Sequence, residues 1–140
     1  MTLRFLLVLT LVGLSSGALA DTPRVLVLAT GGTIHLGGDD ALLKAALAAG
    51  DKGLVIAGFG SGTMTPALDA AANAAARSGA PVVLSSRVLS GPVHDGSYGG
   101  ARRSDAFVLS GLLNPAKARV LLMVHLAAGG ESLKQAFEGY

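Results

Sequence analysis

The chain has 140 residues, of which 51% are hydrophobic and only 14% are charged. This composition fits one domain with enough apolar side chain to build a core, and it excludes a disordered polar chain. The net charge of +2 comes without a basic stripe, which argues against a nucleic-acid partner. The absence of cysteine excludes disulfide scaffolds, thiolate-bound zinc and cysteine nucleophiles.

Residues 1–20 have the pattern of a secretory signal peptide. Arg4 provides the positive start, residues 5–14 form an apolar run, and the Ala-Leu-Ala of residues 18–20 fits the small-x-small rule for signal peptidase. An uncleaved membrane anchor is the alternative, but the run has only about half of the roughly 20 residues needed to cross a bilayer. We therefore predict cleavage before Asp21 and a periplasmic or secreted protein that has no membrane association after cleavage.

Two hydrophobic periodicities alternate along the rest of the chain. Short apolar runs are typical of strands buried on both faces of a parallel sheet, and we expect this of residues 24–29. Segments rich in Ala and Leu, bounded by a capping residue and a glycine, are typical of helices. The order predicts an α/β fold with a small parallel sheet and helices on both faces. The predicted strands are residues 24–29, 53–57 and 81–85, with 106–109 as a fourth candidate, and the predicted helices are residues 41–49, 66–78, 114–126 and 132–137.

Two glycine-containing turns fall where open parallel sheets bind ligands, outside the carboxyl ends of strands. Residues 30–33 follow the first predicted strand, and residues 58–63 follow the second. Glycines let a ligand approach the backbone, and unpaired amides in such a turn form an anion or oxyanion pocket. A hydroxyl at a sharp turn can act as a nucleophile, which makes Thr33 the candidate. The alternative is that these hydroxyls bond only within their own turns.

Few other residues qualify as partners for such a nucleophile. The three histidines are scattered, and no spacing among them indicates a metal site. We expect His125 to pack within an apolar helix face, Arg87 and Arg119 to form salt bridges at the surface, and Asp39 or Asp40 to cap a helix. Neither turn matches a dinucleotide-binding or P-loop motif, so nucleotide binding has little support.

Several of these segments resemble a known family. The Thr-Gly-Gly-Thr-Ile turn within residues 27–34 and the segments 52–63, 82–88 and 110–123 occur in the order seen in bacterial type II L-asparaginases, the asparaginase/glutaminase family. The resemblance implies hydrolysis of L-asparagine to L-aspartate and ammonia, with side activity on L-glutamine. It also implies a homo-oligomer and no cofactor.

The same resemblance implies the roles of four residues. The family's first threonine nucleophile falls on Thr33, and Gly32 lies beside it. The loop with which a neighbouring subunit completes the pocket falls on residues 60–63. We therefore expect Gly32, Ser61 and Thr63 to bind the substrate.

The resemblance covers the two ends of a longer enzyme. Residues 21–38 resemble the start of the family's N-terminal domain, and residues 39–140 resemble its C-terminal domain. The block between them, absent here, holds the family's lid tyrosine, substrate-clamping Ser-Gln pair and Thr-Asp-Lys triad. We expect residues 24–29 to replace the missing first strand of the C-terminal domain and complete its sheet, with Thr33 near the second turn.

Three functions remain open. The first is an L-asparaginase-type amidohydrolase, impaired because most of the family's catalytic residues are absent. The second is a catalytically inactive relative that serves as a binding or subunit-association module. The third is a binder of small anions or amino acids at the two turns. Ammonia release that depends on Thr33 distinguishes the first, and stabilisation by L-aspartate or L-asparagine distinguishes the third from the second.

Overall fold

The computed structural model describes residues 22–29, 39–93, 107–130 and 132–140, which form a four-stranded sheet with helices on both faces. Neighbouring strands are parallel and follow the chain order. The predicted fold class is confirmed. The strands are β1 (Val25–Ala29), β2 (Gly53–Gly58), β3 (Val82–Ser86) and β4 (Val108–Leu109), and the helices are α1 (Ala41–Ala48), α2 (Pro66–Arg77), α3 (Pro115–Ala128) and α4 (Leu133–Phe137).

The side chains of the strands alternate between two apolar clusters, one on each face of the sheet. Leu54, Ile56 and Leu84 belong to the cluster under α1 and α2, whereas Val55 and Val83 belong to the cluster under α3 and α4. β2 and β3 are buried along their whole length. Their continuous apolar runs follow from this position, because a strand covered on both faces has no side turned to water.

β1 forms one edge of the sheet. It pairs with β2 from Val25 opposite Gly53 to Ala29 opposite Ala57, which confirms the predicted pairing of the N-terminal strand. The expectation that β1 is buried on both faces holds in part: Val25 is buried in one cluster and Leu28 in the other, whereas Leu26 and Val27 are half-buried and Ala29 is exposed. An edge strand has a neighbour on one side only, so its side chains are covered less fully than those of β2.

Helices α2 and α3 begin with the same local arrangement. Thr65 Oγ1 accepts a hydrogen bond from the Leu68 amide at 3.3 Å, and Asn114 Oδ1 accepts one from the Lys117 amide at 3.0 Å. A proline follows each cap, where its missing amide costs no intrahelical bond. Asp40 occupies the capping position of α1 without a side-chain cap bond, and its carboxylate instead pairs with a lysine one turn later at 2.8 Å.

The predicted boundaries differ from the observed ones at several ends. Helix α3 continues to Ala128, two residues beyond the predicted end, and stops where Gly129 takes a left-handed φ of +66°. None of the described helices combines the length and the apolar composition needed to span a membrane. The predicted signal peptide, residues 1–20, lies outside the described residues.

Candidate functional site at the carboxyl edge of the sheet

The carboxyl ends of β1, β2 and β3 meet at one edge of the sheet. Ala29, the last residue of β1, is paired with Ala57, and Gly58, the last residue of β2, is paired with Ser86. The segments that leave these strands therefore begin side by side. Open parallel sheets bind ligands at this edge, which makes it the candidate functional site.

The turn after β2, residues 59–63, closes on itself, and we call it the glycine turn. The amides of Gly62 and Thr63 both donate to the Phe59 carbonyl at 2.7 Å, and the Phe59 amide donates to the Thr63 carbonyl at 2.9 Å. Three of its five amides are thus used inside the turn. The expectation of unpaired amides is wrong for these three, because a tight turn satisfies its backbone groups locally.

Glycine is required where the end of β2 meets this turn. A β-carbon on Gly58 would lie 2.6 Å from the carbonyl carbon of Gly62, too close for backbone atoms. Gly62 has a φ of +104°, which other residues rarely adopt. A β-carbon on Gly62 would meet Val93 at 3.0 Å and Leu84 at 3.2 Å, so the turn is packed directly on the cluster under α1 and α2.

The end of β3 holds the glycine turn from the side. Ser86 is buried, and its hydroxyl donates to the Gly60 carbonyl at 2.5 Å while accepting from the Val88 amide at 3.2 Å. The Arg87 guanidinium lies over the Phe59 ring, 4.7 Å from its centroid. A cation–π contact at an exposed site stabilises by about 0.5–1 kcal/mol. Both contacts fix the position of the turn relative to the sheet.

The structure brings together two of the four predicted site residues. Ser61 and Thr63 both lie in the glycine turn and are half-buried. Thr33 and Gly32 lie outside the described residues. The roles of all four residues in catalysis or substrate binding stay predictions.

Acid–base groups are scarce at this edge. Across residues 58–63 and 84–93, the single ionisable side chain is Arg87, and a guanidinium offers hydrogen-bond donors but no acceptor that could serve as a general base. Arg119, at the other end of the sheet, donates through Nε to the Val25 carbonyl at 3.1 Å. The Nε contact of Arg119 is with a backbone carbonyl, whereas the sequence predicts a salt bridge for this residue.

The histidine that the sequence places inside an apolar helix face is covered less completely than expected. His125 is half-buried on α3, with its ring against Gly130. Among the described residues, no three His, Asp or Glu side chains approach closely enough to hold a metal ion.

Sequence reasoning missed the role of the two serines that end β3. The Ser85 hydroxyl donates to the Leu113 carbonyl at 2.8 Å, and this bond joins β3 to the start of α3. The same carbonyl also accepts a hydrogen bond from the Ser110 hydroxyl at 2.9 Å. Ser86 joins β3 to the glycine turn, as described above. The sequence does show two hydroxyl residues at the end of a buried apolar strand. Because burying a hydroxyl without a partner costs free energy, this pattern predicts that both serines are hydrogen-bonded.

Comparison of the sequence with known proteins identifies its family. Residues 24–137 match the Glutaminase/Asparaginase C-terminal domain family. The chain belongs to this family. The match includes β1, and it confirms the resemblance carried by the glycine turn and by the segments that follow it.

Individual asparaginases match over similar lengths. The chain is 39% identical over 105 residues to L-asparaginase 2 of Escherichia coli (strain K12), covering 69% of this chain and 28% of that protein. It is 40% identical over 106 residues to the probable periplasmic L-asparaginase of Haemophilus influenzae, covering 70% and 28%. It is 37% identical over 93 residues to L-asparaginase 2 of Bacillus subtilis (strain 168), covering 66% and 24%. This asparaginase-family chain thus spans about a quarter of the length of the curated relatives it matches.

Proposed function

We propose that this chain is an L-asparaginase-type amidohydrolase, which converts L-asparagine and water to L-aspartate and ammonia without a metal or cofactor. In this proposal Thr33 is the nucleophile, and Gly32, Ser61 and Thr63 bind the substrate. L-Glutamine is a second substrate. The names of the relatives and the position of the glycine turn at the carboxyl edge support the assignment.

The register of β1 against β2 is the observation that carries the proposal. Ala29 is paired with Ala57, so the chain leaves β1 one strand spacing, about 4.8 Å, from β2. Four residues span at most about 14 Å. The chain can therefore bring Thr33 from Ala29 to the glycine turn, which begins two residues after Ala57.

In the proposed reaction, the Thr33 hydroxyl attacks the side-chain amide carbon of L-asparagine. Ammonia leaves with the hydroxyl proton, and water then hydrolyses the ester to release L-aspartate and restore Thr33. Arg87 is the single ionisable group in the described edge segments, so this part of the edge supplies no general base for the proton transfer. Loss of groups that act as a unit with a nucleophile lowers kcat by several orders of magnitude. We therefore expect turnover far slower than in the full-length relatives.

The test is ammonia release from L-asparagine by the mature chain, residues 21–140. Thr33→Ala should reduce release to the uncatalysed background, and Thr63→Ala should raise KM more than it lowers kcat. Thr22→Ala is the matched control, because Thr22 is exposed and precedes β1, at the amino ends of the strands and away from the candidate site. Equal release by the parent and Thr33→Ala proteins would exclude hydrolysis at Thr33.

A second function, a subunit-association module without turnover, is favoured by a different observation. Helix α3 exposes Val120 and Val124, each 60% accessible to solvent. Such residues on an exposed helix face favour self-association into a homo-oligomer. A stable assembly that releases no ammonia would support this function. A rise in Tm with L-aspartate or L-asparagine but without turnover would indicate amino-acid binding instead.

We also propose that the chain is exported and acts in the periplasm or outside the cell. The pattern of residues 1–20 supports this location, as does the name of the Haemophilus influenzae relative. N-terminal sequencing of protein recovered from the periplasm tests it. A first residue of Asp21 is expected, and an intact Met1 in the membrane fraction would contradict the proposal.

A further inference from the structure

Helix α3 is apolar on two opposite sides. Its inward side packs Ala118 and Leu122 against the sheet, where both are fully buried. Its outward side carries Ala116, Val120 and Val124, and this spacing of four residues places all three on one face of the helix. We call this set, with Lys117, Ala127 and Ala128, the outer face of α3.

The outer face of α3 carries two exposed valines and borders an exposed tyrosine. Val120 and Val124 line a shallow groove of about 470 Å³ with Leu113 and Tyr140, and Tyr140 is itself 54% exposed. Helix α2 offers a contrast on the opposite side of the sheet, where its exposed residues are a proline, three alanines and Arg77. An exposed patch of large apolar side chains indicates a surface that a partner covers.

This face is complementary to itself when two copies of α3 cross in antiparallel orientation. With a two-fold axis at the level of Leu122, Val120 of one copy lies opposite Val124 of the second copy. Ala116 then lies opposite Ala128, and alanines at both ends allow the helices to approach closely. The same patch serves both copies, as a two-fold symmetric dimer requires.

Charge favours the same orientation. The axis places Lys117 opposite the last turn of α3 in the second copy, where the helix carbonyls carry partial negative charge. Helix α3 contains no acidic residue with which Lys117 could pair along its own helix. At the C-terminus of α3, the amides of Gly129 and Gly130 both donate to the same carbonyl, that of His125. A parallel pair would instead place two Lys117 ammonium groups side by side.

We propose that the outer face of α3 is the surface through which two copies of this chain associate, as an antiparallel helix pair with Val120 packed on Val124. This inference rests on the self-association proposed above and does not depend on hydrolysis at Thr33.

The first test is sedimentation velocity of the mature chain, residues 21–140, over a broad concentration range. Val120→Glu should weaken the dimer by more than about 100-fold, because one substitution per chain buries two carboxylates in a symmetric interface. Leu42→Glu is the matched control, since Leu42 is a 70% exposed apolar residue on α1 and should leave the dimer intact. Circular dichroism should show the same helix content in all three proteins.

A second test reads the register directly, because the chain has no cysteine of its own. Val120→Cys mixed with Val124→Cys should form a disulfide-linked dimer under mild oxidation. Neither variant alone should do so readily. Facing α-carbons lie about 3–5 Å apart, because each stands about 2.3 Å from its own helix axis and the axes are about 8–10 Å apart. Identical positions are offset by about 6 Å more along the helix, which takes their α-carbons to about 7–8 Å. A disulfide requires α-carbons within about 7 Å.

Several outcomes would overturn the inference, and they can be told apart. A parent chain that is monomeric at all concentrations would contradict both the proposed self-association and the proposed dimer surface. A dimer that Val120→Glu leaves unchanged supports self-association but excludes this surface. Efficient cross-linking of Val120→Cys alone would contradict the proposed register, since it requires a parallel pair or an antiparallel pair centred on Val120. If Val120→Glu alters only the 140-residue precursor, residues 1–20 cover this face instead. Ammonia release is measured separately and bears only on hydrolysis.

Discussion

The two faces of the sheet are built differently. Among the described residues, the cluster under α1 and α2 has twelve buried members, whereas the cluster under α3 and α4 has six. The glycine turn is attached to the larger cluster through Gly62, which packs on Leu84 and Val93. The smaller cluster lies under α3, a helix that also exposes valines on its outer face. A helix that is apolar on both sides does not reveal from its periodicity which side meets its own core.

The largest effects should come from emptying the two clusters. Leu84→Ala, in the cluster under α1 and α2, and Leu122→Ala, on the inward side of α3, should each reduce the free energy of unfolding by about 2–5 kcal/mol. Both side chains are fully buried. Urea unfolding followed by circular dichroism measures the loss. Leu84→Met is the control and should cost less than about 1.5 kcal/mol. A loss below about 1 kcal/mol for Leu122→Ala would mean that α3 does not pack on the sheet as described.

A smaller effect is expected where the glycine turn joins the sheet. Gly58→Ala places a β-carbon 2.6 Å from the Gly62 backbone, so one of the two segments has to move. We expect a loss of about 1–3 kcal/mol in the free energy of unfolding, as for other overpacked sites. Gly60→Asn is the control, because nothing lies within 4 Å of its β-carbon and asparagine tolerates its φ of +49°. If both variants are equally stable, the close backbone approach is not a constraint.

The two serines at the end of β3 should differ in importance. Ser86→Ala removes the hydroxyl that bonds the Gly60 carbonyl and the Val88 amide, and it should cost about 1–2 kcal/mol in unfolding free energy. Ser85→Ala should cost less, because the Leu113 carbonyl still accepts from Ser110. Thermal and urea unfolding of both variants measure the difference. The reverse order would show that the glycine turn does not depend on β3.

The smallest effect sharpens the contrast between the two sides of α3. Val120→Ser should change the unfolding free energy of the monomer by no more than about 0.5 kcal/mol, because the side chain touches solvent there. Leu122, only two residues away, faces the sheet and has the large effect predicted above. The measurement has to be made at a concentration where the chain is monomeric. A loss comparable to that of Leu122→Ala would assign Val120 to the core of its own chain.

Part of the fold and of the site could be predicted because the interactions are local. The caps at Thr65 and Asn114 join residues three apart, so a short stretch of sequence contains the whole arrangement. The glycine turn carries its own hydrogen bonds, and its position after β2 follows from the apolar run before it. The sequence therefore predicts the edge at which Ser61 and Thr63 lie, but it does not predict the hydrogen bonds of the amides around them.

The amino-acid sequence was enough to predict the alternation of strands and helices, the helix starts, the family and the pairing of β1 with β2. Only the packed structure shows that β1 is an edge strand, that Ser86 bonds the glycine turn and that Val120 and Val124 face outward. The physical reason is distance along the chain: Ser86 bonds a carbonyl 26 residues earlier, and Arg119 bonds one 94 residues earlier. Contacts of this kind depend on how the layers pack, which no local pattern of residues specifies.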